Sequence, residues 1–506
     1  MIHLFKPTSY RTGTALAIGA TSVWKIISFA NSLLVAAYFG FSQETDIYFY
    51  LLMLIGLGLN FVGTCNATAV QPEAMTLEAQ HPGQGCALLN IFFLLTMGIS
   101  LFCLVLGLLV PDTLLAMCSA WTREQLAPHT MLIRLGFLLF ALQLFSATAG
   151  TILEMHHRFS TALLFPLNAL LPLASLLLFG KNLGIISMMY GFVAAYLIQD
   201  ILFFKALVQE LNWNFLAFRV HISRRLIHNL ISLGIQCALN VCCNSLPLYL
   251  LSSLGTGWVS ALNYAKQLSE TPTEILSQRV ANLSKIQLTE HVAREDWQQG
   301  NDSYLAVNHF LLFLLTPLAV FSCFYAPEII SIFFERGAFT LQDGQMAAGF
   351  LRPLLFVMLL TSTGIVQSNI ISATRTWKEF LPYSLVGYVL FLVLLPLTMR
   401  HWGGFAYPYT LLFCNLIGFL IAFYFLLKQV PAWHGWETLR QLGRILSLNI
   451  LALVPAAVYG WYVAGHNPWM TVFIGGVIFM TALLGLCYHS GDLQFFIRQC
   501  LPNKKF

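Results

Sequence analysis

Long apolar stretches recur along the chain with short polar connections between them. They lie approximately at residues 13–39, 46–70, 85–110, 127–152, 159–179, 183–208, 226–251, 255–283, 303–324, 342–371, 379–399, 403–427, 441–464 and 468–488. A helix needs about 20 apolar residues to cross roughly 30 Å of hydrocarbon. Lipid offers no partner to a backbone N–H or C=O, so such runs fold as helices. The pattern predicts an all-α polytopic membrane protein of fourteen transmembrane helices.

Charges near mid-depth stand out in two of these stretches. Lys25 sits at the centre of the first, and Lys266, Glu270 and Glu274 interrupt the eighth at four-residue spacing, with Asn263 and Gln267 alongside. Residues four apart share a helix face, so the eighth segment carries one polar stripe of about three turns. A charge at bilayer mid-depth costs roughly 2.5 to 3.5 kcal/mol on insertion scales and persists where it meets a partner, a watery cavity or a substrate. Pro272 lies inside the stripe and frees a backbone carbonyl near the same depth. Lys266 and Glu270 also suit a simple helix-stabilising pair. Lys25 has no acidic residue four positions away, so its counter-charge must come from another helix, Asp46 among the candidates, or from a ligand. Asn31, Asn60, Asn66, Asn240 and Asn244 add polar groups, each of which also suits an interhelical hydrogen bond.

The Lys and Arg residues orient the chain. Of the 26, 18 fall in or at the span ends beside the N-terminus, the even-numbered connections and the C-terminus, Lys6, Arg11 and Arg219 among them; four fall in the odd-numbered connections. Basic residues concentrate in cytoplasmic loops, so both termini are expected in the cytoplasm, with the polar eighth segment crossing the membrane. The first apolar run is too long and too interrupted for a cleaved signal peptide and should remain as the first helix. Only 9% of residues are charged, against about 25% in soluble domains. The net charge of +5 is accounted for by the basic loops, so nothing points to nucleic acid. The eleven cysteines are scattered without a CxxC and read as small packing residues. Adjacent His156 and His157 lack the face-sharing spacing of a metal site, and His156-His157-Arg158 reads as a solvated cytoplasmic loop. Arg134 and Arg352, near the outer ends of their spans, can reach the headgroups. No catalytic constellation, metal site or cofactor motif is visible.

A duplication underlies the pattern. An ungapped alignment of the fourth and tenth spans superposes Arg134 on Arg352, and Asn31-Ser32-Leu33 recurs as Asn244-Ser245-Leu246, each followed by a glycine turn at Gly40 and Gly255. Two matches six spans apart with nearly equal offsets predict two six-helix halves. Six is even, so the halves should be related by a pseudo-twofold axis along the membrane normal, with a cavity between them. The expected organisation is an N-terminal lobe over 1–208, a basic cytoplasmic linker over 209–225, a C-terminal lobe over 226–428, and two accessory helices with a cytoplasmic tail over 429–506.

The run Ile332-Phe333-Phe334-Glu335-Arg336-Gly337-Ala338-Phe339-Thr340 resembles the FxRGAFT-type stretch of the MviN/MurJ family, the lipid II flippases of bacterial cytoplasmic membranes. Phe39-Gly40 with Thr45-Asp46, Arg158-Phe159-Ser160, and Tyr264-Ala265 with Leu268, Glu270 and Pro272 are similar to further family stretches in the same order. The resemblance implies a transporter of the MOP superfamily. It would turn a polyprenyl-diphosphate-linked saccharide from the inner to the outer leaflet by alternating access, cations holding the diphosphate. It implies that helices thirteen and fourteen guide the lipid tail, and leaves a coupling cation unidentified. The family's first helix has an arginine at each end of an RxLGFxRD-like stretch; the same frame here has Lys25 and Asn31. Its second-helix arginine falls near Leu59 and its eighth-helix arginine on Gln267, one residue from Lys266.

The expected cavity residues are therefore Lys25, Asn31, Asp46, Asn244, Asn263, Lys266, Gln267, Glu270 and Glu274. Two competing readings stand beside the flippase. A MATE-like exporter of small cationic molecules would use Asp46, Glu270 and Glu274; a non-transporting scaffold would use none of them.

Overall fold

The computed structural model describes residues 10–494 and 496, apart from 82, 219–223, 295, 375, 431, 432, 434 and 463–466. Lys6 and Arg219 lie outside the described residues, among which every regular element is helical. The chain forms two compact units, Met1–Ser260 and Ala261–Phe506.

In the first unit α1 (Tyr10–Phe39) is followed by α2 (Gln43–Cys65), which runs through a π turn into α3 (Gln71–Gln80). Then come α4 (Gln84–Leu109), the short α5 (Pro111–Cys118) and α6 (Arg123–Leu126), α7 (Thr130–Met155), α8 (Leu167–Leu183), α9 (Ile186–Lys205) and α10 (Arg224–Ser252). Helix α7 packs on α4 and α9, α8 lies along α9, and α1 rests on α8. The core joins Leu88, Phe93, Ile152, Leu153, Phe203 and Trp213. The division at Ser260 falls beyond the linker expected at 209–225, because α10 packs against α2.

Helix α11 (Trp258–Pro272) crosses the unit boundary and continues through a π turn, Thr273–Ser277, into α12 (Gln278–Ala293). Proline lacks the N–H that would close the preceding α-helical turn, and the helix widens directly after it. The second unit continues with α13 (Trp297–Phe324), α14 (Ala326–Phe334), α15 (Leu341–Ala373), α16 (Trp377–Trp402), α17 (Ala406–Gln429), α18 (Gly435–Tyr462) and α19 (Pro468–Ser490). Helix α15 is its spine, touching α12, α13, α14 and α17, while α18 and α19 pair with each other. Tyr325 pins that pair: its hydroxyl donates to the Ala456 carbonyl at 2.6 Å, and a Cβ at Gly475 would stand 2.6 Å from the Tyr325 hydroxyl oxygen.

Among the described residues twelve helical stretches are long and apolar enough to cross a membrane, and one of them, Glu379–Gln429, holds both α16 and α17. The α11–α12 rod is too polar to count by that measure. With it, the helices match all fourteen expected spans. Leu101, Phe102, Leu178 and Phe473 are all more than half exposed, an arrangement that a soluble monomer avoids and that hydrocarbon solvates.

The run resembling the family signature builds a corner. Ile332, Phe334 and Phe339 are buried, Arg336 donates Nη2 to the Ile332 carbonyl at 2.8 Å, and Gly337 turns at φ +65°, where a side chain would be strained. Thr340 then caps α15 in a reciprocal pair with Asp343. Phe334 and Phe339 close on the buried ring of Tyr264, at 4.8 and 5.7 Å between centroids. Two motifs far apart in sequence thus form one aromatic cluster.

Candidate functional site

The polar stripe of α11 is a single surface of the second unit. Lys266 keeps 23% of its side chain exposed, its Nζ 3.8 Å from Glu270 Oε1; Glu270 is 58% exposed. The Lys266 ammonium also meets the Tyr407 hydroxyl from α17. Asn263 and Gln267 are half-buried beside it, and Gln267 Oε1 accepts no hydrogen bond. Glu274, half-buried, stands on the π turn that follows Pro272. Asn263, Lys266, Gln267, Glu270 and Glu274 therefore belong to one helix and its next turn. A lysine held by a tyrosine hydroxyl and a largely exposed carboxylate can exchange the carboxylate for an anionic ligand at little cost, since exposed ion pairs contribute about 1 kcal/mol or less.

In the first unit Lys25 is half-exposed on α1, its Nζ 4.8 Å from the centroid of the Trp24 ring, an attractive cation–π geometry. Asn31 is buried and donates Nδ2 to the Ala169 carbonyl of α8 at 2.9 Å, an interhelical bond. Asn244 donates within its own helix to Asn240, reaching its carbonyl at 2.9 Å and its side-chain oxygen at 2.5 Å.

Asp46 differs most from expectation. It is 1% exposed and accepts from Gly257 N at 2.5 Å, Ser260 N at 2.8 Å and Ser260 Oγ at 2.6 Å. The two backbone N–H donors are orphan groups at the N-terminus of α11, where a carboxylate is also favoured by the helix dipole. Its carboxylate is a helix cap, neither the counter-charge of Lys25 nor a cavity-lining group. Its neighbour Thr45 completes a reciprocal cap with Ser42 at the start of α2.

The His156-His157-Arg158 turn is another correction: Arg158 is buried in an ion pair with Glu210, not solvated. His156 packs edge-on against Trp213, centroids 5.6 Å apart. Burial, and next the Arg158 charge, hold its imidazole below the usual histidine range. Arg134 and Arg352 are both exposed, on α7 and α15. Sequence reasoning missed Tyr407, Ser260 and Asp200; only Asp200 left a signal, as a lone acid inside the sixth apolar span.

Long apolar helices, the more polar α11–α12 segment with its lysine stripe, and the paired α18 and α19 define a polytopic membrane protein. A solved structure of the lipid II flippase MurJ in an inward closed conformation superposes with a TM-score of 0.76 at 18% identity, over 95% of this chain and 99% of that one. An inward-facing MATE family multidrug resistance transporter of the MOP superfamily gives 0.62 at 13% identity, over 85% and 97%. The family model described as lipid II flippase MurJ matches residues 35–480, and the chain belongs to that family. A probable lipid II flippase MurJ from Bdellovibrio bacteriovorus (strain HD100) is 27% identical over 259 residues. That alignment takes in 49% of this chain and 48% of the relative, so the chain spans about half the length of this relative.

Proposed function

We propose that the chain is an alternating-access flippase that carries a polyprenyl-diphosphate-linked saccharide, the peptidoglycan precursor lipid II, from the inner to the outer leaflet of the bacterial cytoplasmic membrane. The observation that carries this reading is membership of the MurJ family over residues 35–480. Lys25 and Lys266 act as the diphosphate anchors. Each is a point charge without the fork of arginine, so each attracts a diphosphate by charge rather than by bidentate geometry. At equal distance a doubly charged diphosphate attracts the Lys266 ammonium more strongly than the single charge of the exposed Glu270 does. Asn263, Gln267 and Glu274 line the same stripe and meet the sugar. The lipid tail stays in hydrocarbon, so only the headgroup needs shielding. Turnover requires that the inward and outward states differ in affinity for the substrate or for a coupling cation. The basic bias of the even-numbered connections supports cytoplasmic termini.

The test is complementation of a bacterium whose own lipid II flippase is depleted. The wild-type chain restores growth; Lys25→Ala and Lys266→Ala, inserted at wild-type levels, each reduce rescue at least tenfold in plating efficiency. Failure of a well-inserted wild-type chain overturns the substrate assignment. Full rescue by both variants overturns the anchor assignment. A MATE-like exporter would instead lose export of small cations on Glu270→Gln and be indifferent to the lysines.

A further inference from the structure

The transport reading leaves one cavity of the second unit without a task. In the first unit the buried Asp200 of α9 accepts from the Ser146 hydroxyl of α7, so that acid is held within the helix packing. The second unit instead has a cavity of about 500 Å³ walled by α13, α14, α15 and α18. Two opposite charges line it, Glu328 in the first turn of α14 and Arg352 on α15. Among the described residues no ion pair joins them. Glu328 is half-buried and its Oε2, shielded from solvent, accepts no hydrogen bond; Arg352 is exposed. Much of the remaining wall is apolar, Phe324, Phe356 and Leu453 included. Trp461 completes it, 72% exposed and followed by Tyr462 at 83% where α18 ends. Exposed tryptophan and tyrosine at the end of a span mark the membrane–water interface, so the cavity lies at headgroup depth.

A charge beside hydrocarbon persists where it meets a partner, and a buried acceptor left unmet costs about 1 to 3 kcal/mol. Arg352 alone could be satisfied by any lipid phosphate; Glu328 could not. One molecule that carries both an anion and a cation meets both. A guanidinium matches phosphate with paired N–H donors, and a carboxylate accepts from an ammonium, which has three donors and no acceptor. A purely anionic lipid would satisfy Arg352 while setting a like charge near Glu328, and a diphosphate would do so twice over. The apolar wall favours a ligand with acyl chains over a water-soluble zwitterion. Cavities of about 300 to 1,000 Å³ take groups of this size.

We propose that this cavity holds the headgroup of a phospholipid with a primary amine, a phosphatidylethanolamine. Its phosphate lies on Arg352, its ammonium on Glu328, and its acyl chains leave along the apolar wall. A lipid bound there ties α14 and α15 to α18. The site shares no residue with the lysine stripe of α11 and stands whether or not lipid II is the cargo.

The full-length protein, purified in detergent and stripped of co-purified lipid, is titrated with dihexanoyl-phosphatidylethanolamine. Its thermal midpoint and the lipid adducts seen by native mass spectrometry are followed. Dihexanoyl-phosphatidylglycerol, which lacks the amine, and free phosphoethanolamine, which lacks the chains, are titrated in parallel. The ethanolamine lipid should raise the midpoint by several degrees and saturate at about one lipid per chain, as expected of a ligand that binds only the folded state. Both comparison molecules should bind about tenfold more weakly, the scale of one lost charge-assisted hydrogen bond or a few exposed methylenes. Glu328→Gln should remove the preference for ethanolamine over glycerol, and Arg352→Gln should weaken binding of the ethanolamine lipid about tenfold. A wild-type protein with no saturable response to that lipid overturns the proposal. Equal affinity for the glycerol lipid overturns it too, leaving a general anionic-lipid surface, and equal affinity for free phosphoethanolamine removes the lipid from the reading. A Glu328→Gln protein that keeps the wild-type preference, or an Arg352→Gln protein that keeps the wild-type affinity, sinks the assignment of these residues. Should either variant fail to fold, the comparison of headgroups on the wild-type protein decides by itself. None of these measurements involves the transported substrate, so failure here leaves the flippase reading standing, and failed complementation leaves this site standing.

Discussion

At the scale of single residues, the same chemical group has opposite tasks in different surroundings. Asp46 and Glu270 are both acids in membrane-length segments, yet one is 1% exposed beneath a helix terminus and the other is 58% exposed beside a lysine. Asp46→Asn places an amide donor against the Gly257 and Ser260 donors that the carboxylate now accepts. Unmet buried donors cost about 1 to 3 kcal/mol, so this variant should unfold at a lower temperature and exchange the Gly257 and Ser260 amides faster by mass spectrometry. Protection equal to wild type would reject the capping role. The polarity of Asp46 was legible in the sequence, but its partners lie 211 and 214 positions away. Hydropathy registers that a group is polar; it does not register what that group will face.

At the scale of elements, periodicity carried most of the information. Fourteen apolar runs became the fourteen long helices, and the polar eighth run became α11 and α12 with the π turn after Pro272. The connections at 111–126 and 326–340 carried less, because α5, α6 and α14 are too short to leave a clear period. Helix pairing was not legible at all, and α18 with α19 illustrates why. Their junction depends on Tyr325 reaching the Ala456 carbonyl past the bare backbone of Gly475. Gly475→Val should force the tyrosine off that bond. Overpacking of this kind costs about 1 to 3 kcal/mol, read as a lower thermal midpoint. If instead Tyr325→Phe alone reproduces the full loss and Gly475→Val changes nothing, the close approach is not what limits the junction.

At the scale of the whole molecule, the charge bias of the connections predicts a topology. A single cysteine introduced at Lys505 of a cysteine-free chain should react with a membrane-impermeant maleimide only after the cells are opened. Labelling of intact cells would reverse the orientation. The duplication inferred from Arg134 with Arg352 and from the repeated Asn-Ser-Leu extends the same argument to two halves, whereas the compact units divide at Ser260, after α10. The sequence by itself determined what depends on the solvent: that the chain is a polytopic membrane protein, where its long apolar helices run, and which segment carries a charged stripe, since transfer to hydrocarbon is a property of each segment alone. Only the tertiary structure decided which polar groups are shielded by partners. It made Asp46 a cap, buried Arg158 on Glu210, brought Tyr407 to Lys266 and enclosed Asp200 behind Ser146, because those outcomes depend on donors and acceptors supplied by helices distant in sequence.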